Sequence, residues 1–308
     1  MEIIRGMHNI RPRHRGCVLT IGNFDGVHHG HQVLLAHVVA KGKELGVPAG
    51  VITFEPMPRE FFRGAVRPAR LTRFREKIML LCQANIDRVI CLPFNEQLVN
   101  VTAETVIDVL VNSLGIRYIV VGDDFRFGRG AEGDYAMLQA AGRKHGFEVS
   151  QLGTLLFDHE RVSSTRVREV LGDADFELAE KLLGHPYFIM GRVVYGRKLG
   201  RQLGSPTANI RLQRYRAALE GVYTVEVDGV GPAPRRGIAN IGVRPTVDGR
   251  EPLLEVHIFD FDEDIYGRLL KVTFRHKIRD ERQFESLEAL KAQITRDISA
   301  AREWFEAA

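Results

Sequence analysis

Residues 22–31 read Gly22-Asn23-Phe24-Asp25-Gly26-Val27-His28-His29-Gly30-His31, between a short apolar run at 17–21 and an apolar-periodic segment that starts at Val33. That setting predicts a strand, a tight turn and then a helix. The N-terminus of a helix offers free N–H groups and about half a positive charge, which favours a bound anion. Gly22, Gly26 and Gly30 let the backbone come close to a ligand. His28 and His31 lie three apart at the helix start, so they share one face and can both donate to one phosphate group. Nucleotidyl transfer needs that arrangement, because charge builds on the leaving pyrophosphate as the α-phosphorus is attacked. A plainer reading makes the two histidines helix caps or solvated side chains. Three glycines between a strand and a helix favour the phosphate site.

Outward from this turn, β-rich runs at 18–21, 49–54, 88–93, 118–122 and 147–152 alternate with helical patterns at 31–45, 76–85, 103–114 and 134–144. Gly46, Gly115 and Gly146 are placed as helix stops. The alternation predicts a parallel, Rossmann-like α/β sheet with helices on both faces. In such sheets ligands bind at the carboxyl ends of the strands, where the strand order reverses. Three of those ends carry chemistry: the decisive turn, Thr53-Phe54-Glu55-Pro56-Met57-Pro58, and Gly122-Asp123-Asp124-Phe125-Arg126-Phe127-Gly128. Phe54, Phe125 and Phe127 suit either the core or a planar heterocycle. Further on, Ser163-Ser164-Thr165-Arg166-Val167-Arg168 opens another helix. Its hydroxyls serve as N-caps or hold phosphates, and of its two arginines only one is expected to reach them.

Past the helical pattern at 175–183 the chain becomes β-rich, with the boundary placed at Gly184-His185-Pro186. Strands are predicted at 188–194, 222–227, 237–241, 253–259 and 270–274, then an amphipathic helix at 286–305. This pattern describes a small antiparallel β-barrel with a C-terminal helix. The expected domains are therefore 1–183 and 184–308. Gly196, Gly200 and Gly204 lie among Arg197, Lys198 and Arg201, a basic loop able to fold over phosphates and equally readable as a plain loop. Pro206 follows, and then Thr207 and Asn209 present a hydroxyl and an amide oxygen two residues apart, a neutral pair that suits Mg²⁺ held mainly by phosphates and water. Leu254, Val256 and Ile258 alternate toward the barrel core. Glu255 and His257 then point outward, where exposure is the default and a general base is the functional alternative.

No lysine is followed by Ser or Thr, so a Walker-type loop is absent, and the glycines of residues 22–30 do not fit a dinucleotide fingerprint. The motifs GNFDGVHHGH (22–31), GDDFRFG (122–128) and SSTRVR (163–168) together resemble the adenylyltransferase domain of the bacterial bifunctional riboflavin kinase/FAD synthetase family. The stretches GRQLGSPTAN (200–209), IANIGVRPT (238–246) and LEVHIFDF (254–261) resemble the flavokinase domain of the same family. The resemblance implies two ATP-dependent steps: riboflavin to FMN in the C-terminal domain, then FMN to FAD and diphosphate in the N-terminal one. It assigns His28, His31 and Arg168 to catalysis of the second step. Gly22, Asn23, Phe24, Asp25, Gly26, Ser163, Ser164 and Thr165 would hold its ATP, and Asp123, Asp124, Phe125 and Phe127 its flavin. For the kinase step it implies ATP at Gly196, Lys198, Gly200, Gly204 and Pro206, Mg²⁺ at Thr207 and Asn209, and Glu255 as base. Met57 departs from the pattern, standing where many relatives carry His.

The 308 residues suffice for two cores. Charged residues at 27%, a net charge of +4 and three scattered cysteines exclude a disordered chain, a disulfide scaffold and a zinc cluster. No apolar run approaches the ~20 residues of a membrane span and no signal-peptide core follows the N-terminus. A cytoplasmic enzyme with small-molecule substrates and neither membrane nor nucleic-acid partner is expected, its oligomeric state undetermined. The competing readings are a tRNA-directed relative sharing the histidine motif and a non-catalytic flavin-binding regulator. The first predicts salt-dependent tRNA binding, the second flavin binding without ATP consumption.

Overall fold

The structure, a computed structural model, describes residues 1–62, 67–196, 206–246 and 249–307. The first part runs β1 (Glu2–Arg5), β2 (Val18–Ile21), α1 (His29–Leu45), β3 (Ala49–Glu55), α2 (Pro58–Phe62), α3 (Phe74–Gln83), β4 (Arg88–Pro93), α4 (Glu96–Val99) and α5 (Ala103–Asp108). It continues with β5 (Tyr118–Gly122), α6 (Tyr135–His145), β6 (Glu148–Leu152) and the short hairpin of β7 (Leu156–Phe157) and β8 (Glu160–Arg161). Strands β1 to β6 form one sheet in the order β1-β4-β3-β2-β5-β6, every neighbouring pair parallel. Val18, Leu19 and Thr20 have no solvent exposure, as befits a strand with helices over both faces.

Going from β4 to β5 the chain crosses to the far side of β2, so the order reverses between β2 and β5. The decisive turn leaves the carboxyl end of β2, and Gly122 ends β5. Two of the expected ligand-bearing strand ends thus flank the switch point.

Some boundaries differ from the expectation. The edge strand β1 was not anticipated; Glu2, Ile3, Ile4 and Arg5 become a strand by pairing with β4. The single helix expected over 103–114 ends as an α-helix at Asp108 and continues as a π-helix over Val109–Ser113. Gly46, Gly115 and Gly146 do stop their helices in the left-handed region, at φ 63, 53 and 76°.

By its contacts the chain divides into two units, residues 1–68 with 74–163 and residues 69–73 with 164–308. The second unit contains α7 (Ser164–Gly172), α8 (Phe176–Leu183) and six antiparallel strands: β9 (Phe188–Val194), β10 (Ala208–Arg211), β11 (Gly221–Asp228), β12 (Arg235–Thr246), β13 (Gly249–Ile258) and β14 (Leu269–Arg279). They close into a barrel in the order β10-β13-β12-β11-β14-β9. Residues 69–73 join this unit through Arg214, whose Nη1 donates to Arg70 O at 3.0 Å and Leu71 O at 3.4 Å. Leu254, Val256 and Ile258 are 4% exposed or less. Each contributes ~1.5–3 kcal/mol by burial.

The C-terminal helix, Leu287–Ala307, is fastened by an ion pair. Arg279 Nη2 and Nε donate to Asp297 Oδ2 at 2.8 and 2.9 Å, and Gln293 adds a third donor at 2.6 Å. The Asp297 side chain is 6% exposed, so its removal leaves a guanidinium without its counter-charge. Asp297→Ala is expected to destabilise the unit by about 3 kcal/mol. Trp304, the one tryptophan of the chain, lies on this helix stacked on His276, with centroids 5.7 Å apart, so its fluorescence reports the lowered urea midpoint. An unchanged midpoint would show that the pair holds nothing. Among the described residues no helix is long and apolar enough to cross a membrane.

Candidate active site

The turn after β2 is tightly wound. Phe24, Gly26 and Val27 adopt positive φ of 49, 84 and 43°. A β-branched residue in that region is strained by roughly 1–3 kcal/mol, a cost seen mainly at functional sites. Phe24 and Val27 are buried to 1% or less, and Asp25 to 3%; their packing holds the turn in shape. The space beside Gly22 and Gly30 is filled by the motif's own rings: a Cβ at Gly22 would lie 3.1 Å from the Phe24 ring, and one at Gly30 would lie 3.3 Å from His28 Nδ1. At those two positions glycine makes room for Phe24 and His28, where the sequence reading had a ligand.

His28 is the N-cap of α1, accepting from the His31 N–H through Nδ1 at 3.4 Å. With Nδ1 acting as acceptor, the neutral ring carries its proton on Nε2. The cap therefore occupies one nitrogen of the imidazole and does not exclude the phosphate reading. The His28 and His31 rings stack with centroids 3.6 Å apart and planes 18° apart. His31 Nδ1 is buried and has no partner among the described residues. Burial presses the His31 pKa well below the ordinary imidazole range, and His28 and then Lys77 add to the effect. The helix end thus presents two stacked imidazoles, and of these His31 has a buried nitrogen with no partner among the described residues.

Several flanking residues contribute to the same unit. Thr53 donates to Asn23 O at 3.4 Å, and Met57 is buried, its N–H donating to Glu60 Oε2 at 3.0 Å. Asp123 Oδ2 accepts from the N–H and hydroxyl of Thr154 at 2.9 and 2.5 Å. These bonds hold its carboxyl below the usual range. Asp124 pairs with Arg161 at 2.7 Å. Phe125 stacks on Phe127, which is 9% exposed and belongs to the core. Two features escaped the sequence reading. Phe61 and Phe62, 37% and 64% exposed, pack with Phe94 at 5.6 Å from each, beyond the carboxyl ends of β3 and β4. Lys77, fully buried on α3, is the second.

Ser163 closes the first unit. In the second, Ser164 and Thr165 open α7, and Arg168 donates through Nη1 to Ser164 O at 2.9 Å and through Nε to Ala69 O.

The barrel carries a cavity of about 280 Å³ lined by Gly196, Pro206, Thr207, Asn209, Phe261 and, from a segment the sequence does not single out, Asp262 to Tyr266. Lys198, Gly200 and Gly204 lie outside the described residues. The stretch read as a metal loop continues into a strand, β10. In its register Asn209 sits opposite Glu255 on β13, and Glu255 opposite Asn240 on β12. Cross-strand partners have Cβ atoms roughly 5 Å apart on the same face, so the expected metal ligand and the expected base are direct neighbours. Glu255 is half-buried, on the face opposite Leu254 and Val256.

Asn209 tests the fit of a metal. Its Nδ2 donates to Thr207 O at 3.3 Å, while Oδ1 is buried with no partner among the described residues. A Cβ on Gly196 would come within 2.4 Å of that amide. An orphaned carbonyl oxygen beside a threonine, with no carboxylate cluster able to hold a metal among the described residues, fits Mg²⁺ that retains water and phosphate ligands.

Residues 10–166 match the family described as FAD synthetase, and residues 183–305 match riboflavin kinase. The chain is 52% identical over 304 residues to a bifunctional riboflavin kinase/FMN adenylyltransferase of Pseudomonas fluorescens, covering 98% of this chain and 97% of that one. It is 50% identical over 307 residues to the protein of that name in Escherichia coli strain K12, covering 99% and 98%. A crystal structure titled as a macrolide-efflux protein from Streptococcus pneumoniae superposes with a TM-score of 0.80 at 30% identity, over 98% of this chain and 99% of that one.

Proposed function

The chain belongs to the bifunctional riboflavin kinase/FMN adenylyltransferase family, and from that premise we propose how its residues divide the two reactions. The barrel transfers the γ-phosphoryl group of ATP to riboflavin, giving FMN and ADP. The FMN phosphate then attacks the α-phosphorus of a second ATP at the N-terminal sheet, giving FAD and diphosphate. The tRNA-directed and purely regulatory alternatives give way to a match that spans the whole chain in this order.

At the sheet, His28 Nε2–H and the His31 ring meet the charge that grows on the departing diphosphate, helped by the end of α1. Gly22 to Gly26 shape the ATP turn. Ser163, Ser164, Thr165 and Arg168 are assigned to the ATP phosphates by their motif. Asp123 and Asp124 brace the loop that offers Phe125 to the flavin. At the barrel, Glu255 accepts the proton of the attacking riboflavin hydroxyl, while Thr207 and Asn209 would hold Mg²⁺. When bound, that ion neutralises charge on the phosphate oxygens. The boundary between the activities is placed at 183/184, and the enzyme is assigned to the cytoplasm.

The observation that supports this division is the cross-strand pairing of Asn209 with Glu255, the residues assigned here as metal ligand and base. Incubation with riboflavin, ATP and Mg²⁺, with FMN and FAD separated by chromatography, tests it. Asn209→Ala is expected to lower FMN formation about 10- to 100-fold, the range for loss of a metal-site partner, and to raise the Mg·ATP concentration required. Gly196→Ala is expected to act in the same direction, by displacing the Asn209 amide. FAD formation from supplied FMN stays unchanged in both. Wild-type protein that makes neither product would sink the assignment.

A further inference from the structure

Residues 69–73 belong to the barrel's unit, although the chain up to residue 68 and from residue 74 to residue 163 belongs to the other. They form neither helix nor strand, yet Leu71 is fully buried and Thr72 is 3% exposed. Buried backbone outside a helix or sheet needs other partners for its carbonyls. Two arginines supply them. Arg214, just past the end of β10 and 6% exposed, donates through Nη1 to Arg70 O at 3.0 Å, to Leu71 O at 3.4 Å and to the Tyr187 hydroxyl at 3.3 Å. Gln213, its neighbour in the chain, accepts from the guanidinium of Arg73. The next carbonyl of the segment, that of Ala69, accepts from Arg168 Nε.

Taken alone, the Arg214 clamp would do no more than satisfy a buried segment. The place of Arg168 on the same segment gives it a second use. A guanidinium is a rigid plane with five donors, so bonds from two of its nitrogens fix where the plane points. Arg168 makes one such bond to Ser164 O at 2.9 Å and another to Ala69 O. Ser164 O moves with α7 itself, whereas Ala69 O is set by the clamped segment.

We propose that Arg214 is a positioning residue for adenylyl transfer: by clamping residues 69–73 it holds the Ala69 carbonyl, and through it the Arg168 guanidinium, in the orientation that meets the ATP phosphates. The inference rests on the assignment of Arg168 to those phosphates. Without Arg214 the carbonyls of Arg70 and Leu71 lose their donor and the segment moves off toward water, taking the Ala69 carbonyl with it. A displacement of about 1 Å at a group that orients a substrate can cost about 10²-fold in rate.

The test is a double-mutant cycle on FAD formation from supplied FMN and ATP, with the full-length protein. With Arg168 present, Arg214→Met is expected to lower kcat/KM about 10- to 100-fold. In the Arg168→Ala background the same change is expected to cost less than about 2-fold, the size of ordinary departures from additivity, because the guanidinium that it positions is gone. Arg214→Lys offers an ammonium to the same carbonyls, so it should recover part of the loss when Arg168 is present and none when it is absent. Trp304 fluorescence through a urea titration shows which variants are folded. If Arg214→Met is not, the cycle is run with Arg214→Lys, whose own smaller loss must vanish in the Arg168→Ala background.

Equal losses in the two backgrounds would mean that Arg214 serves the fold alone, and they overturn the proposal. Failure of the underlying assignment looks different. Arg168→Ala by itself would then retain FAD formation, whatever the cycle shows.

Discussion

Replacing His28 or His31 by alanine is expected to lower FAD formation from FMN about 10²- to 10³-fold, the loss typical of one preorganised donor to a developing anion. FMN formation from riboflavin should be unchanged, because none of the residues assigned to the kinase reaction belongs to this turn. The size of the effect follows from the arrangement. The rings are parallel at 3.6 Å and sit on the first turn of a 17-residue helix, so they address the same patch of charge as the helix end does. Groups that act as a unit lose most of their effect with the first deletion. The double variant should accordingly be little slower than either single one. Supplying riboflavin in one assay and FMN in another separates the steps. A folded histidine variant deficient in both would show that the activities share a site.

The second large effect is expected at Glu255. Glu255→Gln keeps the size of the side chain and removes the carboxylate that would take the hydroxyl proton, so FMN formation should fall about 10²- to 10⁴-fold. FAD formation from supplied FMN should persist. The distinction between base and metal partner can be read in the same experiment: excess Mg²⁺ is expected to restore part of the Asn209→Ala activity and none of the Glu255→Gln activity. Recovery of Glu255→Gln at high Mg²⁺ would move this residue from proton transfer to metal binding.

What could be read from the sequence depended on whether the cause was local. Strands such as β4 and β5 are dense apolar runs closed by turn residues, and they appear at the expected bounds. The histidine turn lies between a strand and a helix, as its flanking apolar segments predict. The edge strand β1 mixes charge with apolar residues over four positions, too short for periodicity to register; its partner β4 makes it a strand. Thr207 to Asn209 drew attention as oxygen ligands, which hid the fact that β10 begins there.

Lys77 was passed over because a lysine on a helix normally marks the solvent side. Its burial is a tertiary fact, set by Thr53 and Glu55 on another element. The neighbouring positions of Asn209 and Glu255, which are far apart in sequence, follow from barrel register and have no local signature. The cap at His28 uses Nδ1, so it does not exclude the phosphate reading of the same ring.

The cap that His28 makes bears on how this chain can change over evolutionary time. Asparagine or serine at position 28 would still cap α1, so the helix would begin as before while the imidazole's second nitrogen was lost. On the roles proposed above, one substitution at position 28 would weaken the second reaction and leave the start of α1 capped. Gly196 is less permissive, because any side chain there must push into the Asn209 amide.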